Sequence, residues 1–244
     1  MFDGLGERYD MLNDLLSLGL DRWWRRQTVR AVRVRPGDRV LDLGCGSGAM
    51  GRYLAGRARV VGLDVSLGML AQAKRRSPSL RLVQGSAFAL PFGDRSFDAA
   101  MSGFVLRNLH DLPGAFAELH RVVVPGGSMA LVDITEPARP ALRRAFDAYF
   151  GTVAPVLGAL VGKGEEYRYL VRSLAQIPPS ATVRRLLEEA GFERCEARPL
   201  TGGTVTLFTA ANGGRGAFGP ASAPALDPRP IGFPRTDRSP EGTA

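Results

Sequence analysis

The segment Leu41–Gly51 reads LDLGCGSGAMG and holds two overlapping glycine patterns. Gly46, Gly48 and Gly51 satisfy G-x-G-x-x-G, a loop that lets backbone approach a pyrophosphate. Asp42, Gly44, Gly46 and Gly48 form a second signature, with a carboxylate two places before its first glycine. About twenty residues on, Asp64 closes another apolar run, where a carboxylate accepts hydrogen bonds from ribose hydroxyls. Asp64 serves either loop and does not choose between them. Asp42 does: a carboxylate beside the loop repels a diphosphate but suits the ammonium and sulfonium of S-adenosylmethionine. Unit charges about 4 Å apart near a protein surface interact by roughly 4 kcal/mol before solvation costs. On this reading Gly44, Gly46 and Ser47 line the methionine end, and Asp64 holds the ribose. Val65 and Met69 flank the adenine, and Ser86, Ala87 and Phe88 meet its edge and face; plain core packing is an equal reading of Met69 and Phe88. The competing class is an NAD-dependent reductase. Its chemistry lacks parts, since the chain has no Tyr-x-x-x-Lys pair and its two lysines, Lys74 and Lys163, stand away from strand ends.

These groups need a frame. The turn Pro36-Gly37-Asp38 launches the strand RVLDLG, and Ser47–Ala55 reads as a helix opening at the glycine loop. Ala58–Asp64 is a second strand, and Ser66 caps a helix over LGMLAQAKRR. LRLVQG and SFDAAMSGF are further strands; a helix spans Asp111–Val123 and stops at VPGG, and SMALVDIT is a fifth strand. Apolar strands alternating with helices predict a parallel sheet covered on both faces. Helical segments follow over 141–175 and 181–190, then two strands near Phe192–Leu200 and Thr204–Ala210. Before all this, Phe2–Val34 has a helical period with a break at Ser17–Leu20.

Length and composition bound the rest. With 244 residues, 45% of them apolar, the chain supports one sizeable core. The net charge of +8 rests on arginine, and seven arginines lie between Arg22 and Arg39. That local excess suits either an anionic membrane surface or a solvated helix face; no motif accompanies it to suggest nucleic acid. Two cysteines without C-x-x-C spacing imply neither a disulfide framework nor a zinc site. The most apolar run, Phe150–Gly162, is too short to span a bilayer and contains a proline, so a cytoplasmic location is expected. Residues 1–211 read as one domain with a helical cap over 1–35. Residues 212–244, rich in Gly, Pro and Ala, read as a disordered tail.

Several blocks make the chain resemble the demethylmenaquinone/ubiquinone C-methyltransferase (UbiE/MenG) family from about Phe2 to Ala211. RYDMLNDLLSLGLDRWWRR is similar to the family's N-terminal signature, with Tyr9, Asp10, Asn13, Ser17 and Trp24 in place. LPFGDRSFDAAMSGFVLRNLHD resembles its central block, including Phe104-x-Leu106-Arg107-Asn108, and RVVVPGGSMALVDIT its second signature. The resemblance implies a Rossmann-like, doubly wound, mostly parallel sheet of seven strands. N-terminal helices and a helical insertion before the last two strands complete that class I fold. It further implies S-adenosylmethionine as methyl donor and a prenylated quinol as substrate; another aromatic or prenylated metabolite is the alternative. Departures stand at Asp21 for the family's usual His, Ala49 for Asp, Gly103 for Ser, Val124 for Lys and Asp133 for Glu. Of these, Asp21 and Gly103 fall at the expected site, Gly103 within the cofactor pocket.

Methyl transfer from a sulfonium is an in-line displacement, so the protein mainly aligns the nucleophile and excludes water. A quinol carbon becomes nucleophilic as its neighbouring hydroxyl loses proton density. Arg107 and Asn108, after the fourth strand, are placed to act there, Arg107 by stabilising developing phenolate charge. His110 is either a general base or a solvated residue at the next helix start. Tyr9 either closes over the cofactor or belongs to the core. Tyr149, Val153, Leu157 and Leu160 either line an apolar channel for the prenyl tail or simply pack. A channel open at the surface would bring peripheral membrane contact.

Overall fold

The computed structural model describes residues 17–153, 155 and 178–213. Among them the helices are α1 (Asp21–Ala31), α2 (Leu67–Arg76), α3 (Leu112–Val122), α4 (Pro140–Ala148) and α5 (Ser180–Glu189). The strands are β1 (Arg39–Leu43), β2 (Arg59–Asp64), β3 (Arg81–Gln84), β4 (Phe97–Gly103), β5 (Val123–Ile134), β6 (Phe192–Leu200) and β7 (Val205–Asn212). They form one sheet in the order β3-β2-β1-β4-β5-β7-β6. β1 to β5 pair in parallel, while β7 runs antiparallel to both β5 and β6. This is the doubly wound, mostly parallel sheet expected, and its strand order reverses between β1 and β4. A crevice must open there, beyond the carboxyl ends of those strands.

Period-two alternation divides the apolar strands between two cores. Leu41, Leu43, Phe97, Met129 and Leu131 face Phe116, Leu119 and Leu187 of α3 and α5. Val40, Met101, Ala130, Val132 and Leu207 face the other way, with Trp24 of α1 and Leu54. Local signals set the helix starts. Ser66 Oγ accepts from the Met69 N–H at 3.2 Å, and Asp111 Oδ1 from the Gly114 N–H at 3.0 Å, each satisfying an amide the helix leaves over. Before α1 the chain turns through Leu18 and Gly19, both at positive φ, and Ser17 Oγ accepts from the Asp21 N–H.

Three boundaries differ from expectation. Ser47–Ala55 is not an α-helix: four residues, Gly51–Leu54, form a 3-10 turn. Gly48, inside that span, adopts φ 74°, which an α-helix cannot accommodate. β5 begins at Val123, so VPGG lies within an irregular strand, and β7 runs through Asn212. After α4, a π-turn occupies Tyr149–Val153. Residues 2–16, most of the expected helical stretch to 175 and the tail from 214 lie outside the described residues.

Candidate functional site

At the reversal point lies a cleft of about 190 Å³. Its floor is Leu43–Ser47, at the end of β1 and just after it, and Leu63–Val65 at the end of β2; Arg25, Met69, Gly85–Phe88, Gly103–Val105, Asn108 and Leu109 complete it. Asp64 is fixed at its mouth. One carboxylate oxygen accepts from the Gly46 N–H at 2.9 Å and the other from the Ser66 N–H at 3.0 Å. A carboxylate offers about four acceptor positions, so capacity is left for a vicinal diol. Gly44 is at positive φ, and a side-chain carbon there would run into Val105. At Gly46 the same carbon would meet nothing within 4 Å, so the loop presents open space to a ligand. Burial and the charges of Asp42 and Asp64 push the Cys45 thiol far up, making it an inert wall.

Asp42 does not line this cleft, a correction to its expected contact. Alternation along β1 puts Leu41 and Leu43 in the α3 core and turns Asp42 to the Val40 side, 1% exposed, beside Gly51. Neither carboxyl oxygen has a hydrogen-bond partner. Burial pushes its pKa up to about 7. The Arg25 charge opposes that shift, as does the Gly51 amide, which stops short of hydrogen-bonding geometry; Asp64 adds to it. An orphaned buried carboxyl beneath the loop fits a cationic ligand above it, acting through its field rather than by touch. The expected dinucleotide alternative fares worse, because a four-residue 3-10 turn offers no α-helix terminus to a diphosphate.

A second cavity, of about 290 Å³, adjoins the first. Leu18, Leu20, Trp24, Ile134, Leu142, Phe146, Tyr149 and Phe150 make its wall apolar, and Asp21, Arg107, Ser17 and Thr204 add polar atoms. Phe104 belongs to both cavities. It sits at φ 62°, a left-handed conformation costly for an aromatic residue. The Arg25 and Arg107 guanidinium groups lie 5.3 and 5.8 Å from its ring centre. Arg107 is itself buried, its Nη1 bonded to Asp133 Oδ1 at 2.9 Å. Burial raises the Asp133 pKa, and the Arg107 charge pulls against it.

The predicted residues thus divide. Gly44, Gly46, Ser47, Asp64, Val65, Met69, Ser86, Ala87, Phe88 and Gly103 line the first cleft. A residue with a side chain at 103 would make only ordinary contacts with Met50 and Val132, so Gly103 carries no steric demand. Arg107 and Tyr149 line the apolar cavity, whereas Asn108 faces the first cleft. His110 lines neither; it is exposed and packs at a tilt against Phe88, ring centres 4.2 Å apart, because the 3-10 turn Leu106–Asn108 carries it past the crevice. That position does not serve a base beside Arg107. Tyr9, Leu157, Leu160 and the Val153 side chain lie outside the described residues. Arg25 and Phe104 are among the site residues that the sequence reading did not single out. Arg25 was legible as the i+4 partner of Asp21 on a helix; nothing local announced that Phe104 would divide two cavities.

A cleft beyond β1 and β2 with no α-helix terminus for phosphate, lined by the Asp64 carboxylate and next to an apolar cavity, fits a class I S-adenosylmethionine-dependent methyltransferase. The sequence profile of the ubiE/COQ5 methyltransferase family matches residues 1–212, and the chain belongs to that family. The demethylmenaquinone methyltransferase of Beutenbergia cavernae is 42% identical over 212 residues, covering 86% of this chain and 88% of that protein. The ubiquinone/menaquinone biosynthesis C-methyltransferase UbiE of Legionella pneumophila is 36% identical over 221 residues, with the same two coverages. Among solved structures, a SAM-dependent methyltransferase from Aquifex aeolicus aligns with a TM-score of 0.58 at 19% identity, over 79% of this chain and 92% of its own. The [4+2]-cyclase SpnF aligns at 0.62 and 18% identity, over 80% and 82%. Such neighbours share the fold alone, and chemistry has to be argued from the site.

Proposed function

We propose that the protein transfers a methyl group to a ring carbon of a prenylated quinol, converting demethylmenaquinol to menaquinol. The carrying observation is that a nucleotide cleft and an apolar, aromatic-walled cavity meet at Phe104. S-adenosylmethionine, when bound, supplies an electrophilic methyl group. Asp64 holds the ribose, the Gly44–Ser47 backbone receives the methionine end, and Phe88 covers the adenine. Trp24, Phe104 and Phe146 clamp the quinol ring and exclude water, so that its carbon approaches along one line. Arg107 brings positive charge to the cavity wall, where it favours electron density on the substrate oxygen.

The prenyl tail is assigned to the rim, where Leu18 is 71% exposed and Leu142 37% exposed. A lipid-borne tail leaving there brings this face to the bilayer surface, a peripheral contact at the cytoplasmic leaflet. Among the described residues no helix is long and apolar enough to cross a membrane. The test is a methyl-transfer assay with labelled donor across short-chain demethylmenaquinol, its ubiquinol-type counterpart and simple catechols. Preferred turnover of demethylmenaquinol is expected. Equal or better turnover of the non-quinol phenols would overturn the substrate assignment.

A further inference from the structure

Between the two cavities lies an ion pair of α1, Arg25 with Asp21. Arg25 Nε donates to both carboxylate oxygens of Asp21, at 3.0 and 2.8 Å, and both side chains are only about an eighth exposed, 12% and 13%. The two residues face different ways. Arg25 lines the cofactor cleft and Asp21 the apolar cavity, with Phe104 between. On the outer side Arg22, Arg52 and Arg76 share a small cavity with the pair, so it sits in a positive field. Within the apolar cavity, the other titratable groups among the described residues are Arg107, already bonded to Asp133, and Tyr149. Among the described residues Asp21 is therefore the carboxylate that faces a ring lodged there. A carboxylate has more acceptor positions than one guanidinium nitrogen uses. Holding it next to an apolar wall is costly unless a donor completes it.

Resting on the quinol reading above, we propose that Asp21 accepts the hydrogen bond of the substrate hydroxyl adjacent to the methylated carbon. Arg25 ties that carboxylate to the methyl-donor cleft. As the ring carbon bonds to the methyl group, the methyl–sulfur bond breaks and sulfur keeps the electron pair. The hydroxyl oxygen feeds its electrons into the ring, and its proton passes to the Asp21 carboxylate, leaving a ring ketone. Loss of the hydrogen on the methylated carbon to water, with return of the Asp21 proton to oxygen, restores the aromatic quinol. One proton is released overall. A strong base is unnecessary, because the hydroxyl becomes acidic only as the ring gives up electron density.

Binding and turnover test this separately. Trp24 lines the cavity, so its fluorescence reports occupancy by demethylmenaquinol and by the corresponding dimethyl ether, which has no hydroxyl. The wild type is expected to prefer the quinol over the ether by at least about tenfold, and Asp21→Asn to lose that preference. In turnover, Asp21→Asn lowers kcat by about a hundredfold or more and leaves the dissociation constant for S-adenosylhomocysteine within a few-fold, which also certifies the fold. Asp21→His recovers at least tenfold of the loss and gains an acid limb in kcat near the imidazole range, about pH 6.5. Equal binding of quinol and ether by the wild type overturns the proposal. So does an Asp21→Asn variant whose turnover falls only in step with its cofactor affinity, since Asp21 would then merely orient Arg25. Hydroxyl-dependent binding without turnover would instead count against the proposed reaction.

Discussion

Asp42 offers the sharpest quantitative test, because its environment is severe and local. The side chain is 1% exposed, its oxygens are unpartnered, and its pKa rises from an ordinary 3.8 to about 7. A raised folded-state pKa means that the folded chain holds the proton more tightly than the unfolded chain does. Stability from this group is therefore greatest below about pH 4 and falls as pH rises towards 7. The full penalty on the ionised fold is about 4 kcal/mol, of which roughly 2.5 kcal/mol accrues between pH 5 and pH 8. In Asp42→Asn the pH-dependent part vanishes, while an unpaired buried amide costs a constant 1–3 kcal/mol or so. Urea unfolding of both proteins without cofactor, at pH 5, 6, 7 and 8, isolates the effect, since every other titrating group cancels in the difference. With a urea slope of about 2.5 kcal/mol/M, the wild-type midpoint should fall relative to the variant's by about 1 M across that range. Parallel pH dependences would refute the reasoning and show that Asp42 finds a partner or stays hydrated.

Two further outcomes follow from the same geometry. Asp64→Ala should weaken S-adenosylhomocysteine binding by about ten- to a hundredfold, measured by calorimetry, because it removes a charged acceptor and also frees the Gly46 and Ser66 amides that shape the loop. Arg107→Met should destabilise the fold by about 3–5 kcal/mol, because it strands a fully buried Asp133. Adding Asp133→Leu should recover most of that stability in thermal melts without restoring methyl transfer, separating the structural from the electrostatic role of Arg107.

Much of the architecture was written locally. Continuous apolar strands between capped helices fixed a parallel doubly wound sheet, and Gly44, Gly46 and Asp64 follow from strand ends and glycine turns. Those residues act through their own backbone or the next turn, so their placement needs little from the rest of the chain. The side on which Asp42 falls also lay in principle within β1's alternation, since Leu41 and Leu43 take the opposite face. Other features depended on elements distant in sequence. The partner of Arg107 is Asp133, 26 residues away across the β4–β5 pairing, so a residue expected to face substrate is also committed to a buried ion pair. His110 was drawn beside Arg107 by sequence proximity, yet one 3-10 turn sends it to Phe88. Which cavity each residue after β4 enters, and the junction that Asp21, Arg25 and Phe104 form, were decided only when α1 packed on one face of the sheet with its first turns at the carboxyl ends of the strands. Periodicity specifies which face of an element is apolar; it does not specify which other element will cover that face.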